Sequence, residues 1–298
     1  MGKADAATKA YISKNEIFAD AFNFYLYNGR QVIRPERLRE LNTEELILPY
    51  GADGAVSPEQ KLRDSFKELA AMEDGHTAYL LLGAENQLHV HYAAPVKALS
   101  YDVIQYSRQV QAAADSHRKK KDGRGHTAAE FLSGFYKDDR LLPVITLILF
   151  FSPERWDGPR TLREMMNTDD PAILDLLPEY RIHLISPAEL EDADFSRFHS
   201  SLKNVMTFIK YSKDKTKLVS WMSQNQDSLI LGKAEVDVLN TCVNANLSMD
   251  EAKEEMSMCQ ALMEWRAEIA EEAKKEAKKE AMAEAMAEAK KVVMAEAR

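Results

Sequence analysis

Cysteine is nearly absent from this 298-residue chain: only Cys242 and Cys259 occur, on helix-like segments and without metal-ligand spacing. That excludes a disulfide-stapled secreted scaffold, and the expectation is two reduced thiols in a cytoplasmic protein. Long apolar runs are missing as well. No stretch reaches the roughly 18 residues that a membrane-spanning helix needs, so no membrane partner is expected. Met1-Gly2-Lys3-Ala4-Asp5 lacks the apolar core of a signal peptide, and Ala6 stands where a myristoylation motif has Ser or Thr. Positive charge is not in excess: 39 Lys and Arg face 48 Asp and Glu, for a net charge of −9 and a pI of about 5.4. This argues against a protein coated with basic charge for nucleic acid. A local basic groove stays compatible with it, because metal-binding carboxylates and an acidic tail can mask one. Glycine-rich phosphate loops, nucleophile elbows and Cys–His pairs are also missing, which removes the chemistries built on them.

What is present is the composition of a globular chain, 45% hydrophobic and 29% charged, with length for about two domains. Residues 14–27 read as an amphipathic helix, with Ile17, Phe18, Ala21, Phe22 and Tyr25 at 3–4 spacing. Asn15 or Ser13 is the expected cap, and Asn28-Gly29 the stop. Leu46 to Tyr50 is short, apolar and strand-like. Lys61 to Met72 and Ala78 to Ala84 form two strand-like runs joined by the turn-prone Glu73-Asp74-Gly75-His76. His89 to Tyr92 reads as a strand continuation. A helix is expected from Pro95 to about Ala114, with Val96, Leu99, Val103, Tyr106 and Val110 on one stripe. His117 to Arg124 is a basic, glycine-containing loop. Leu141 to Phe151 is apolar and β-branched, hence a buried central strand, and Tyr180 to Ile185 is one further strand. Beyond Pro187 the pattern is helical. Ser248-Met249-Asp250-Glu251 reads as a capping box opening a long helix, and from Glu271 a Glu-Ala-Lys sequence continues it as a solvated helix.

The hairpin brings an acidic residue, Asp64, near a Glu-X-Gln, Glu85-Asn86-Gln87. Glu85 and Gln87, two positions apart on a strand, share one face. Magnesium takes hard oxygen ligands, commonly one or two carboxylates with waters and a substrate phosphate. It acidifies a bound water and neutralises charge on a phosphate. Asp64 and Glu85 suit such an ion, and Gln87 can donate a hydrogen bond to a water or phosphate. The same residues at strand ends also suit an ordinary solvated turn, and spacing alone does not separate the two. His89-X-His91 puts two imidazoles on one strand face, but a third zinc ligand is not placed. Arg118, Lys119, Lys120 and Lys121 suit sequence-independent phosphate contacts, or plain solvation. Tyr106 and Gln109 either face the site or pack.

Several blocks in this order, Asn15-Glu16-Ile17-Phe18-Ala19-Asp20-Ala21-Phe22-Asn23, Arg63-Asp64, Gly83-Ala84-Glu85-Asn86-Gln87, Tyr101-Asp102 with Tyr106 and Gln109, Gly134-Phe135-Tyr136, Pro143 to Leu147, and Trp156-Asp157-Gly158, resemble the Rpn family. These are recombination-promoting nucleases, also labelled PD-(D/E)XK nuclease family transposases. The resemblance covers roughly residues 10 to 215. It implies a restriction-endonuclease-like αβββαβ core and metal-dependent cleavage of DNA. By that likeness Asp64 matches the motif's Asp, Glu85 its acidic member, and Gln87 the Lys position, where this family commonly has Gln. Glu16, with Asp20 as the alternative, matches the assisting acid of the first helix. Arg63 stands where the motif has Pro, and Asp64 and Glu85 are further apart than is usual in the superfamily. Asp74, in the turn, is a poor substitute for Asp64.

The expectation is an α/β fold: a nuclease-like core over residues 1–187, a helical region over 188–247, and a long helix with a Glu/Ala/Lys-rich tail over 248–298. The expected function is a DNA endonuclease using Mg²⁺, Mn²⁺ or Ca²⁺, in the setting of recombination or mobile elements, with a homodimer as the natural arrangement for double-strand cutting. The alternatives are a catalytically degenerate nuclease fold that binds DNA or regulates, and an interaction module whose helical tail self-associates.

Overall fold

In the computed structural model, which describes residues 3–41, 69–83, 90–120, 127–225, 229–247 and 255–257, the apolar stripe near the N-terminus forms a helix. A first helix, α1 (Lys3–Ile12), leads into α2 (Asn15–Tyr27), which buries Ile17, Phe18, Ala21 and Phe22. Neither expected cap is used. Lys14 occupies the cap position, Ser13 Oγ donates to the Lys9 carbonyl at 2.7 Å, and Asn15 Nδ2 donates to the Pro35 carbonyl at 3.0 Å. The stop is as expected: Asn28 and Gly29 both turn left-handed, at φ 55° and 85°.

A five-stranded mixed sheet follows in the order β1 (Arg39–Glu40), β2 (Leu69–Glu73), β3 (Ala78–Gly83), β4 (Val144–Leu149), β5 (His183–Ile185). The first three strands pair antiparallel, and β3, β4 and β5 pair parallel. The β2–β3 hairpin is closed by Asp74, whose Oδ1 accepts from the N–H groups of His76 at 2.9 Å and Thr77 at 3.0 Å, with Gly75 at φ 83°. The strand expected at Leu46 to Tyr50 lies outside the described residues.

The crossover from β3 to β4 runs through α3 (Ala94–Lys120), 27 residues long. Val90 to Tyr92 is not a strand: the Ala94 N–H bonds the His91 carbonyl at 2.9 Å, so these residues turn into the helix. The buried face of α3 is Ala94, Ala98, Tyr101, Asp102 and Gln105, while Val96 and Val103 are 43% and 50% exposed. The apolar stripe of valines was therefore the wrong face. Small residues let the helix approach β4, and Asp102 finds a partner there in Thr146. A short helix, α4 (Ala128–Ser133), is capped by a reciprocal Thr127–Glu130 box, and α5 (Pro171–Leu174) by Asp170.

Alternation along the strands divides the core in two. Ala71, Leu80, Val144 and Ile148 pack with α3, while Met72, Tyr79, Leu81, Leu147 and Leu149 pack with α1 and α2. The second side is completed by α6 (Leu202–Tyr211), α7 (Lys215–Gln224) and α8 (Lys233–Val243), whose Val205, Met206, Leu218 and Leu239 belong to the same cluster as Phe18 and Phe22. Thus residues on both sides of position 187 share one core.

The region after Pro187 is not helical throughout. β6 (Ile230–Gly232) pairs antiparallel with β7 (Glu255–Ser257). The helix expected to open at Ser248 is therefore not continuous across Glu255–Ser257. Helix propensity is a weak prior, and here ladder pairing with Ile230–Gly232 overrides it. Residues 258–298, including the Glu-Ala-Lys segment, lie outside the described residues. No helix among the described residues is long and apolar enough to cross a membrane.

Candidate functional site

Of the four residues expected to carry catalysis, Asp64, Glu85 and Gln87 lie outside the described residues, as do His89 and Lys121. Their framework is described: β3, the strand leading toward Glu85, is paired on both sides, with Leu81 opposite Ala70 of β2 and Leu147 of β4.

Glu16 is placed, on the exposed first turn of α2. It lines a cleft of about 700 Å³ with Lys14, Ser201, Lys233 and Glu235. The cleft forms where the α1–α2 corner meets the N-termini of α6 and α8. Glu235 is buried, and accepts from Ser201 Oγ at 2.8 Å and from Lys14 Nζ at 3.3 Å. Ser201 Oγ lies 3.2 Å from the Tyr11 hydroxyl. Burial, more than the nearby carboxylates, pushes the Tyr11 hydroxyl well above its ordinary pKa, so it stays protonated. The result is two exposed carboxylates, Glu16 and Asp237, beside a buried carboxylate, Glu235, that is already paired. Glu16 can bind or orient a water, whereas Glu235 is committed to the protein.

Asp20, one turn further along α2, has a different role. It is 2% exposed, and its oxygens accept the N–H groups of His199 and Ser200 and the Ser200 hydroxyl. All three donors belong to the turn that opens α6. Asp20 is an anchor between α2 and α6, and Glu16 is the acid of this helix that faces solvent.

On the other side of the sheet, Tyr106 and Gln109 do not face a cleft but hold the entrance of β4. The Tyr106 hydroxyl accepts the Val144 N–H at 3.1 Å, and Gln109 makes two bonds to Leu142, at 2.6 and 3.1 Å. Asp102 accepts from Thr146 Oγ1 at 2.5 Å and from the Tyr180 hydroxyl at 2.8 Å. Burial pushes its carboxyl above the ordinary value, and the two hydrogen bonds oppose the shift.

The basic segment begins as helix rather than loop: Arg118, Lys119 and Lys120 form the last turn of α3. Positive charge at a helix C-terminus is favourable, and His117 anchors the turn by stacking on Tyr136 at 3.6 Å and bonding Asp139 at 2.9 Å. Arg118 pairs with Asp115 at 3.3 Å on the exposed surface.

Tyr11, Lys14, Ser201 and Glu235 were not anticipated as cleft residues. Lys14 and Glu235 are separated by 221 positions, and contacts at that range leave no spacing to read. Among the described residues, no group of three or more His, Cys, Asp or Glu side chains is arranged to hold a metal ion. The chain matches no protein-family model, no curated protein and no solved structure.

Proposed function

We propose that the chain is a divalent-metal-dependent DNA endonuclease of the Rpn type, acting in recombination or on mobile elements. The observation that carries the reading is topological. A helix precedes three antiparallel strands, and a long helix then crosses over to a fourth strand parallel to the third. That is the αβββαβ order the resemblance implies, with Glu85 and Gln87 following the third strand in sequence. Fold alone does not establish chemistry, so the reading also leans on the donor set. Asp64 and Glu85 offer the hard oxygen ligands that Mg²⁺, Mn²⁺ or Ca²⁺ takes.

When bound, the metal would supply charge neutralisation at the phosphate and a more acidic water. Asp64 and Glu85 hold it. Gln87 donates a hydrogen bond that orients water or phosphate, without the charge a Lys would bring. Glu16 orients a further water from the first turn of α2. Arg118, Lys119, Lys120 and Lys121 contact the DNA backbone, and a two-fold dimer cuts both strands.

The test is nicking of supercoiled plasmid by the wild type and by Asp64→Ala and Glu85→Ala, with Mg²⁺, Mn²⁺, Ca²⁺ or EDTA. Metal-dependent cleavage that both substitutions abolish supports the reading. DNA binding without cleavage under any metal replaces it with the degenerate, regulatory alternative.

A further inference from the structure

A second concentration of positive charge, besides the Arg118–Arg124 segment, lies at the α6–α7 corner. Lys203, Lys210, Lys213, Lys215 and Lys217 fall within fifteen residues that hold one acid, Asp214, in a chain of net charge −9. Beside this corner, between it and the 3-10 turn Asp192–Arg197, lies a groove of about 520 Å³. Phe195, Tyr211 and Trp221 line it together with Lys203, Lys217 and Asn225. Trp221 packs against the main core cluster as well, so the indole is braced from behind.

The charges divide by commitment. Lys210 is held by Asp192 at 3.0 Å and by the Leu190 carbonyl, with its ammonium 5.4 Å from the centre of the Phe195 ring. That pair cancels the carboxylate at the rim. Lys203 is exposed, and Lys217 meets Asp214 only at the surface, 3.4 Å apart with the two side chains 69% and 46% exposed. Such a surface pair is weak, so the Lys217 ammonium can turn to another anion. A half-buried tryptophan beside two exposed lysines offers the stacking surface and charge with which proteins hold the unpaired bases and phosphates of a single strand. The volume falls within the range of small-ligand sites, roughly 300–1,000 Å³. That leaves room for one nucleotide and not for a duplex.

We infer that this groove seats one unpaired nucleotide of single-stranded DNA, its base stacked on Trp221 and its phosphates on Lys203 and Lys217. The inference rests on the endonuclease reading for the identity of the ligand, and gives that enzyme a second DNA contact that holds a displaced or frayed strand.

The probe is fluorescent single-stranded oligothymidylate, with binding to the full chain followed by anisotropy in EDTA so that no cleavage intervenes. Trp221→Ala should weaken binding about tenfold or more, while Trp221→Phe retains most of the affinity. Lys203→Gln/Lys217→Gln should flatten the dependence of log affinity on log salt by about 1.4 units. Unfolding midpoints of the lysine variants should match the wild type, since both side chains are exposed. Wild-type affinity and salt slope in all these variants would overturn the groove. If plasmid is cut with metal while these variants bind normally, the groove fails and the endonuclease stands. If nothing is cut but binding follows these residues, the endonuclease fails and the groove stands.

Discussion

Asp20 holds Ser200 twice, accepting its N–H at 2.8 Å and its hydroxyl at 2.6 Å, across 180 positions of chain. One buried carboxylate thereby fixes the first turn of α6 against α2. Asp20→Ala leaves the His199 and Ser200 N–H groups without this acceptor and should cost about 3 kcal/mol or more. Glu16→Gln, on the exposed turn before it, should change stability by less than about 0.5 kcal/mol while lowering plasmid nicking. Urea unfolding beside the nicking assay checks both. Equal destabilisation by the two substitutions would remove the distinction drawn between anchor and site.

Asp102 carries a pH dependence whose sign follows from its environment. Burial raises its folded pKa above the unfolded value of about 3.9. The folded state therefore binds this proton more tightly, so the contribution to stability is greatest below pH about 4 and is lost as pH rises through the folded pKa. Asp102→Asn cannot ionise and should remove that part of the decline. Unfolding midpoints from pH 3 to 7 for both proteins measure it; parallel curves would refute it.

Burial pushes the Cys242 thiol up to about 12. The thiolate is the reactive form, so in a Cys259→Ser background the folded protein should react with a disulfide reagent at pH 8 only as fast as it opens. Addition of denaturant should release a rapid phase. Fast modification of the native protein would contradict the buried placement.

Gly29 combines φ +85° with close backbone contact: an added Cβ would sit 2.6 Å from the Arg197 carbonyl oxygen. Gly29→Ala should cost about 2 kcal/mol or more, from the left-handed conformation and the displaced 3-10 turn together. Thermal unfolding reads the effect, and a shift under one degree would show that the turn yields freely.

Legibility followed the range of the interactions. α2 and β4 were readable because burial imposes local periods, 3.6 at Ile17, Phe18, Ala21 and Phe22, and a continuous apolar run at Val144–Leu149. The β2–β3 turn was readable because Asp74 and Gly75 act on their immediate neighbours. The stripe of α3 misled because alanines, Asp102 and Gln105 lie on its buried face, where close approach and the Thr146–Asp102 hydrogen bond outweigh apolar bulk. The β6–β7 pairing was hidden because its two strands are short and distant in sequence. Of the expected catalytic residues, only Glu16 falls within the described residues. Its surroundings, Lys14, Ser201 and Glu235, come from three separate segments that nothing local ties together.

The cluster that joins α1 and α2 to α6, α7 and α8 also sets a schedule for synthesis. α1 packs on α8, and about 230 residues separate Tyr11 from Leu239. At about 5–20 residues per second, the ribosome needs roughly 10–45 seconds to supply the partner of the first helices. Throughout that interval Tyr11, Ile12, Ile17, Phe18 and Phe22 lack the part of their covering that α6, α7 and α8 supply. The N-terminal helices are thus made first and enclosed last, and a chain cut near residue 190 would present the same apolar face permanently to chaperones and proteases.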